Sequence, residues 1–209
     1  MPHVALLGDS IYDNGVYVPD GPAFADQLRA VLPGEWAVSL LAVDGHVTAS
    51  VEAQLAKLPE DATHIVASCG GNDALWYMPV LSEGAQSVAE VLDRFHRIRS
   101  DFRQKYRLML EKVVATKRDV TVCAIYDCAP DLEPRAHAAL AMFNEVILRE
   151  AISARVAIID LRLVCSGRSD SSELSPIEPS RKGGEKIAAV LRNLLLGTSM
   201  PGNVIQLHV

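Results

Sequence analysis

The chain has no CxxC pair, no apolar run long enough to span a membrane, no surplus of cations, and no glycine-rich phosphate loop behind its first apolar run. Each absence removes a class of function. Cys69, Cys123, Cys128 and Cys165 stand apart, and with the six histidines they form no ligand-like cluster. They read as reduced, mostly buried thiols, so no metal or other cofactor is expected. A net charge of −6 leaves no excess cations to meet phosphates, which disfavours nucleic acid or an anionic membrane as the main partner. The opening "MPHVALLGDS" carries neither a basic lead nor a cleavage site, so a cytoplasmic location is expected. Without the phosphate loop, nucleotide binding is disfavoured as well.

What is present is ordinary for a globular domain. At 209 residues, 49% hydrophobic and 22% charged, the chain can bury one good-sized core, and no linker or repeat divides it. We therefore expect one domain over residues 1–209. Apolar runs short enough for buried strands recur at 3–7, 36–43, 63–69, 119–126 and 155–160. Between them, 22–32, 47–58, 84–117, 134–153 and 180–196 carry helical periodicity. Pro22 suits a first turn, Ser87 with Glu90 reads as a capping box, and Ser180 and Gly197 bracket the last helix. The arginines at 94, 97, 99, 103 and 107 read as a solvated helix face. The tail from Thr198 has no clear partner element.

Strands and helices that alternate in this way predict an α/β fold, a five-stranded parallel sheet with helices on both faces. Ligands of such sheets bind outside the carboxyl ends of the strands. That rule brings four loops to one rim: Ser10 after the first strand, Gly45 after the second, "CGGND" (Cys69–Asp73) after the third, and "SDSSELSPIEPSRKGG" after the fifth. A glycine ahead of the Asp9–Ser10 pair lets the chain turn sharply and present the serine. The Ser10 and Gly45 amides and the Asn72 side chain, aimed at one point, would make an oxyanion hole. A phospho-receiver of the same fold needs an acidic pocket at a middle strand, and the rim offers a serine and amide donors instead.

These blocks resemble the SGNH (GDSL-type) hydrolase family: "GDSIYDNG", the glycine of "AVDGHVT", "GGND", and the closing "IEPSRKGGEKIAAVL". The resemblance implies a flavodoxin-like three-layer α/β/α fold and hydrolysis of a small-molecule carboxylic ester or related acyl bond. It casts Ser10 as nucleophile, with Ser10, Gly45 and Asn72 supplying the oxyanion donors. In the last block the family has Asp-x-x-His, whereas this chain has Ser175 and Glu178 at those places. No histidine lies between His137 and His208.

The base for Ser10 is therefore the open question. Glu178 keeps the loop position, and a buried carboxylate with a raised pKa can accept the serine proton. His46, His137 and His208 are the other candidates, and the absence of any base is the remaining alternative. Asp9, His46 and Asp73 are expected to contact substrate or tie the rim loops together, with Asp13 capping a turn. Asp160 and Arg162 form either a substrate-recognition pair or a structural ion pair. Two readings follow: an ester hydrolase with an atypical base, or a binding protein of the same fold that has lost catalysis.

Overall fold

The computed structural model describes residues 1–198 and 204–205. Six strands form one sheet: β1 (His3–Gly8), β2 (Ala37–Leu40), β3 (His64–Ser68), β4 (Asp119–Ala124), β5 (Ala157–Asp160) and β6 (Val204–Ile205). Their order is β2-β1-β3-β4-β5-β6. The first five run parallel, as expected. The sixth pairs antiparallel with β5 through Ile159 and Val204, so the tail supplies an edge strand that its sequence did not announce.

The helices are α1 (Phe24–Val31), α2 (Val51–Leu55), α3 (Gly71–Trp76), α4 (Val88–Ala115), α5 (Pro134–Ala154), α6 (Leu161–Val164) and α7 (Arg181–Leu195). Side chains alternate across a strand, so each strand feeds two cores. Val4, Leu6, Val66, Cys123 and Ile159 pack with Phe24 and Leu28 of α1 and Ile187 and Leu191 of α7. Ala5, Leu7, Ile65, Val122 and Ile158 pack the opposite way, against Phe102 and Tyr106 of α4 and Phe143 and Ile147 of α5. Strands buried on both faces must be apolar at every position, which is why β1 reads as an unbroken run. The edge strand β2 is only half-buried throughout and spans less of the chain than its apolar run suggests.

Local signals act as expected at several ends. Ser87 accepts from the Glu90 amide at 3.1 Å to open α4, and Ser180 accepts from the Gly183 amide at 3.1 Å to open α7. The stretch at 47–58 is broken into a short 3-10 turn, Thr48–Ser50, followed by α2. The arginine run of α4 is not simply solvated. Arg99 binds Glu145 of α5 at 2.6 Å, and Arg103 and Arg107 converge on Glu150 at 2.5 and 2.8 Å. Glu150 is only 3% exposed, so this seam clamps α4 to α5. All four cysteines are free; Cys69, Cys123 and Cys165 are buried and Cys128 is half-buried.

Because β2 and β3 flank β1 on opposite sides, the chain reverses its direction across the sheet at β1. A crevice opens there, outside the carboxyl ends of β1 and β3.

Candidate active site

Gly8 ends β1 with φ +123°, a region costly for any residue with a Cβ. A Cβ there would also stand 1.7 Å from the Ser68 carbonyl oxygen of β3. Glycine is therefore obligatory, and the sharp turn it allows carries Ser10 over the crevice. The turn is clamped by Gln54 of α2, which accepts from the Gly8 amide and donates to the Gly8 carbonyl, both at 2.7 Å.

Ser10 and Glu178 meet in this crevice. The Ser10 hydroxyl donates to Glu178 Oε1 at 3.2 Å, and both residues are buried. Burial pushes the Glu178 carboxyl above the ordinary glutamate range, and the charge of Asp44 adds to the rise. The hydroxyls of Ser175 and Ser10 oppose it. The Ser175 carbonyl accepts from the Glu178 amide at 3.1 Å, and Glu178 Oε2 is buried with no hydrogen-bond partner among the described residues. A carboxylate so placed is a stronger proton acceptor than one in water.

The loop that presents Glu178 is closed on itself. Ser172 donates its amide to the Glu178 carbonyl at 2.9 Å, and Ser171 and Pro179 bridge its two arms. At its base Asp170, fully buried, takes Lys186 Nζ at 2.6 Å together with the amides of Ser166 and Gly167. Asn14 joins the two blocks: its side chain accepts from the Phe24 amide at 2.8 Å and donates to the Pro179 carbonyl at 3.4 Å.

The expected donors gather as follows. Asn72, in the first turn of α3, donates one N–H to the His46 carbonyl at 2.9 Å, which leaves its second N–H free to turn inward. That bond ties the third loop to the second. Gly45 sits in a turn closed by the His46 amide on the Val43 carbonyl, and its φ of +76° is the positive value such a turn reserves for glycine. Ser10 and Gly45 donate their amides to no acceptor among the described residues. Ser10, Asn72 and Glu178 line one cavity, whereas Gly45 is not among its lining residues.

The remaining expected site residues separate by task. Asp9 lines the cavity and accepts from the Ile11 amide at 3.2 Å. Burial pushes its carboxyl up to about 7 against that amide, with the charges of Asp73, Glu178 and Asp44 adding to the rise. Asp73 is taken up by Thr48, accepting its amide at 2.8 Å and its hydroxyl at 2.9 Å. Asp13 accepts from the Asp44 amide at 3.0 Å and so links the first and second loops. His46 accepts from Gln54 through Nδ1 at 2.9 Å and lies outside the cavity lining. His137 is half-exposed, 3.7 Å from Asp127, and also outside the lining. His208 lies outside the described residues. Asp160 and Arg162 form a two-pronged ion pair at 2.8 and 2.5 Å within their own turn, and neither lines the cavity. Among the described residues no three His, Cys, Asp or Glu side chains gather as a metal site. No described helix is long and apolar enough to cross a membrane.

Beyond Ser10 the cavity is apolar, walled by α3, the 3-10 turn Met78–Ser82, α4 and α5. A serine hydroxyl, a carboxylate and a side-chain amide thus line one largely apolar cavity. Residues 6–185 match the GDSL-like lipase/acylhydrolase family. The chain belongs to that family. Solved structures extend the likeness in fold. A lipase from a goat rumen metagenome is 23% identical with a TM-score of 0.67, over 92% of this chain and 96% of that one. The lipase/acylhydrolase from Enterococcus faecalis is 17% identical with a TM-score of 0.67, over 94% and 96%. Phospholipase A1 from Streptomyces albidoflavus is 18% identical with a TM-score of 0.66, over 95% and 99%. At these identities the likeness speaks to the fold alone. No curated protein matches the sequence.

Asn14, Gln54, Asp170 and Lys186 were not singled out from the sequence. Each is polar and joins segments far apart in the chain, and nothing local distinguishes it from a surface residue of the same type.

Proposed function

We propose that this family member hydrolyses acyl esters with Ser10 as nucleophile and Glu178, at the place of the family's histidine, as the base. The observation that carries the proposal is the 3.2 Å bond from the Ser10 hydroxyl to Glu178 Oε1 inside a buried, apolar cavity. As Ser10 Oγ attacks the ester carbon, its proton passes to Glu178 Oε1 and the carbonyl electrons move onto oxygen. The amides of Ser10 and Gly45 and the free N–H of Asn72 are the donors assigned to that oxyanion. Collapse expels the alkoxide, which takes the proton back from Glu178. Glu178 then draws a proton from water as that water attacks the acyl-serine, and on collapse it hands the proton to the departing Ser10 Oγ, so the acid leaves and both side chains are restored.

A carboxylate is a weaker base than imidazole, so burial has to make up part of the difference. The orphaned Oε2 and the raised pKa both support this, since burial outweighs what the Ser175 and Ser10 hydroxyls do to stabilise the charge on Glu178. The test is cleavage of p-nitrophenyl acetate by the parent and Ser10→Ala. A loss of at least a hundredfold in kcat/KM is expected in the variant; equal rates would overturn the assignment.

A further inference from the structure

Two cavities adjoin between α3, the Met78–Ser82 turn, α4 and α5. The first, of about 120 Å³, begins at Ser10 and Glu178. The second, of about 640 Å³, lies outward along the first turns of α4 and carries Val91, Leu92, Arg94 and Arg99 on its walls. Five side chains line both: Val80, Leu81, Phe95, Ala139 and Met142. Each of the five faces both cavities, so together they make the partition between the two. Phe95 is the largest of them, and Met142 is the most flexible.

An acyl chain whose carbonyl carbon sits on Ser10 has the first cavity directly before it. A cavity of about 150 Å³ is known to hold benzene, so about 120 Å³ suits an apolar group of roughly six carbons or fewer. A longer chain is expected to meet the shared wall, of which Phe95 is the bulkiest member. The space behind the partition would not repel it. Arg94 is held by Glu83 at 2.9 Å and by Glu90, Arg99 by Glu145 at 2.6 Å and Arg135 by Glu133 at 2.6 Å, so the arginines of the outer cavity stand as ion pairs beside apolar side chains. The partition is therefore what limits length.

The geometry points to Phe95, seconded by Met142, as the residue that restricts this enzyme to short acyl chains by closing the Ser10 cavity off from the larger one behind it. This rests on the ester-hydrolase reading above and adds the substrate's chain length to it.

The experiment is the chain-length profile of kcat/KM on p-nitrophenyl esters from acetate to dodecanoate, below micelle-forming concentrations. In the parent, kcat/KM climbs by up to about fourfold per methylene, the worth of one buried CH₂, as far as about hexanoate, and then falls. In Phe95→Ala the break moves several carbons longer, and the decanoate-to-butanoate ratio rises at least tenfold. Met142→Ala moves it the same way by less. Circular dichroism checks that each variant is folded, and Phe95→Leu replaces Phe95→Ala if the latter is not. A ratio within twofold of the parent's in folded variants at both positions overturns the inference. Failure of the hydrolase reading looks different: no ester is cleaved by the parent and Ser10 takes up no fluorophosphonate. In that case butanamide to dodecanamide are titrated calorimetrically. Affinity that climbs to about six carbons, and further in Phe95→Ala, upholds the partition; affinity independent of length, or unmoved by the variant, overturns it.

Discussion

The Ser10 hydroxyl and Glu178 Oε1 lie 3.2 Å apart although 168 positions separate them in the chain. Two turns bring them together. One is forced by the close approach of Gly8 to Ser68, and the other is pinned by Asp170 on Lys186. Asn14 stitches one to the other. The pair is thus a product of the whole sheet order, which places the ends of β1 and β3 at the reversal point with the β5–α7 loop folded over them.

A glutamate base makes the pH profile diagnostic. Glu178 must be ionised to accept a proton, and burial holds its pKa above the usual 4.5. The kcat/KM for p-nitrophenyl acetate is therefore expected to fall with acid along a limb above pH 4.5. The limb vanishes in Glu178→Gln, whose residual rate is flat across the same range, and persists in Asp9→Asn. A limb near pH 6.5 that survives Glu178→Gln would identify a histidine instead.

Asp9 carries a stability signature of its own. Its folded pKa of about 7 exceeds the ordinary 3.8, so the folded state holds the proton more tightly than the unfolded chain does. Stability is then highest below pH 4, declines as pH rises from about 4 to about 7, and levels off above that. The decline attributable to this one group is on the order of 4 kcal/mol. Asp9→Asn keeps an oxygen for the Ile11 amide and removes the charge. It is expected to raise the melting temperature at pH 8 and to leave it nearly unchanged at pH 4. An equal shift at both pH values would contradict the assignment.

Glu150 holds the helical clamp that forms one wall of the cavity. It is buried with Arg103 and Arg107 on it, and their hydrogen bonds hold its carboxyl below the ordinary range against the cost of burial. Glu150→Gln removes the carboxylate that both guanidinium groups bond and leaves Arg107 only the charge of Glu111. The arginines are partly solvated, so the expected loss is about 2 kcal/mol, below that of a fully buried pair. The sign of the pH dependence is opposite to that of Asp9: the contribution of Glu150 is present above pH 4.5 and fades as pH falls below it. Urea melts at pH 7 of parent and variant measure the difference, and coincident midpoints would refute it.

Much of this architecture was legible because it rests on local chemistry. The unbroken apolar runs of β1 and β3 announce strands buried on both faces, and Gly8, Ser87 and Ser180 mark their turns and caps by residue type alone. Ser10, Asn72 and Glu178 could be placed on one rim because strand ends define it. Other features depend on partners remote in sequence. The arginines of α4 look solvated until α5 brings Glu145 and Glu150 to them. Val204–Ile205 is too short to read as a strand, and only the open edge of β5 makes it one. Gln54 and Asn14 carry no local mark of their task, since a buried amide differs from an exposed one only in its surroundings. His46 stands next to the rim in sequence, yet its ring is turned to Gln54.

The most direct test follows the rate at which a fluorophosphonate labels Ser10 at pH 7, read by intact-mass spectrometry, in the parent and in Glu178→Gln. Glutamine keeps the shape of the side chain and cannot accept the serine proton as a carboxylate does. If Glu178 activates Ser10, the parent gains one adduct, located to Ser10 by peptide mapping, and Glu178→Gln is labelled at least a hundredfold more slowly. Equal labelling rates in the two proteins would contradict the account.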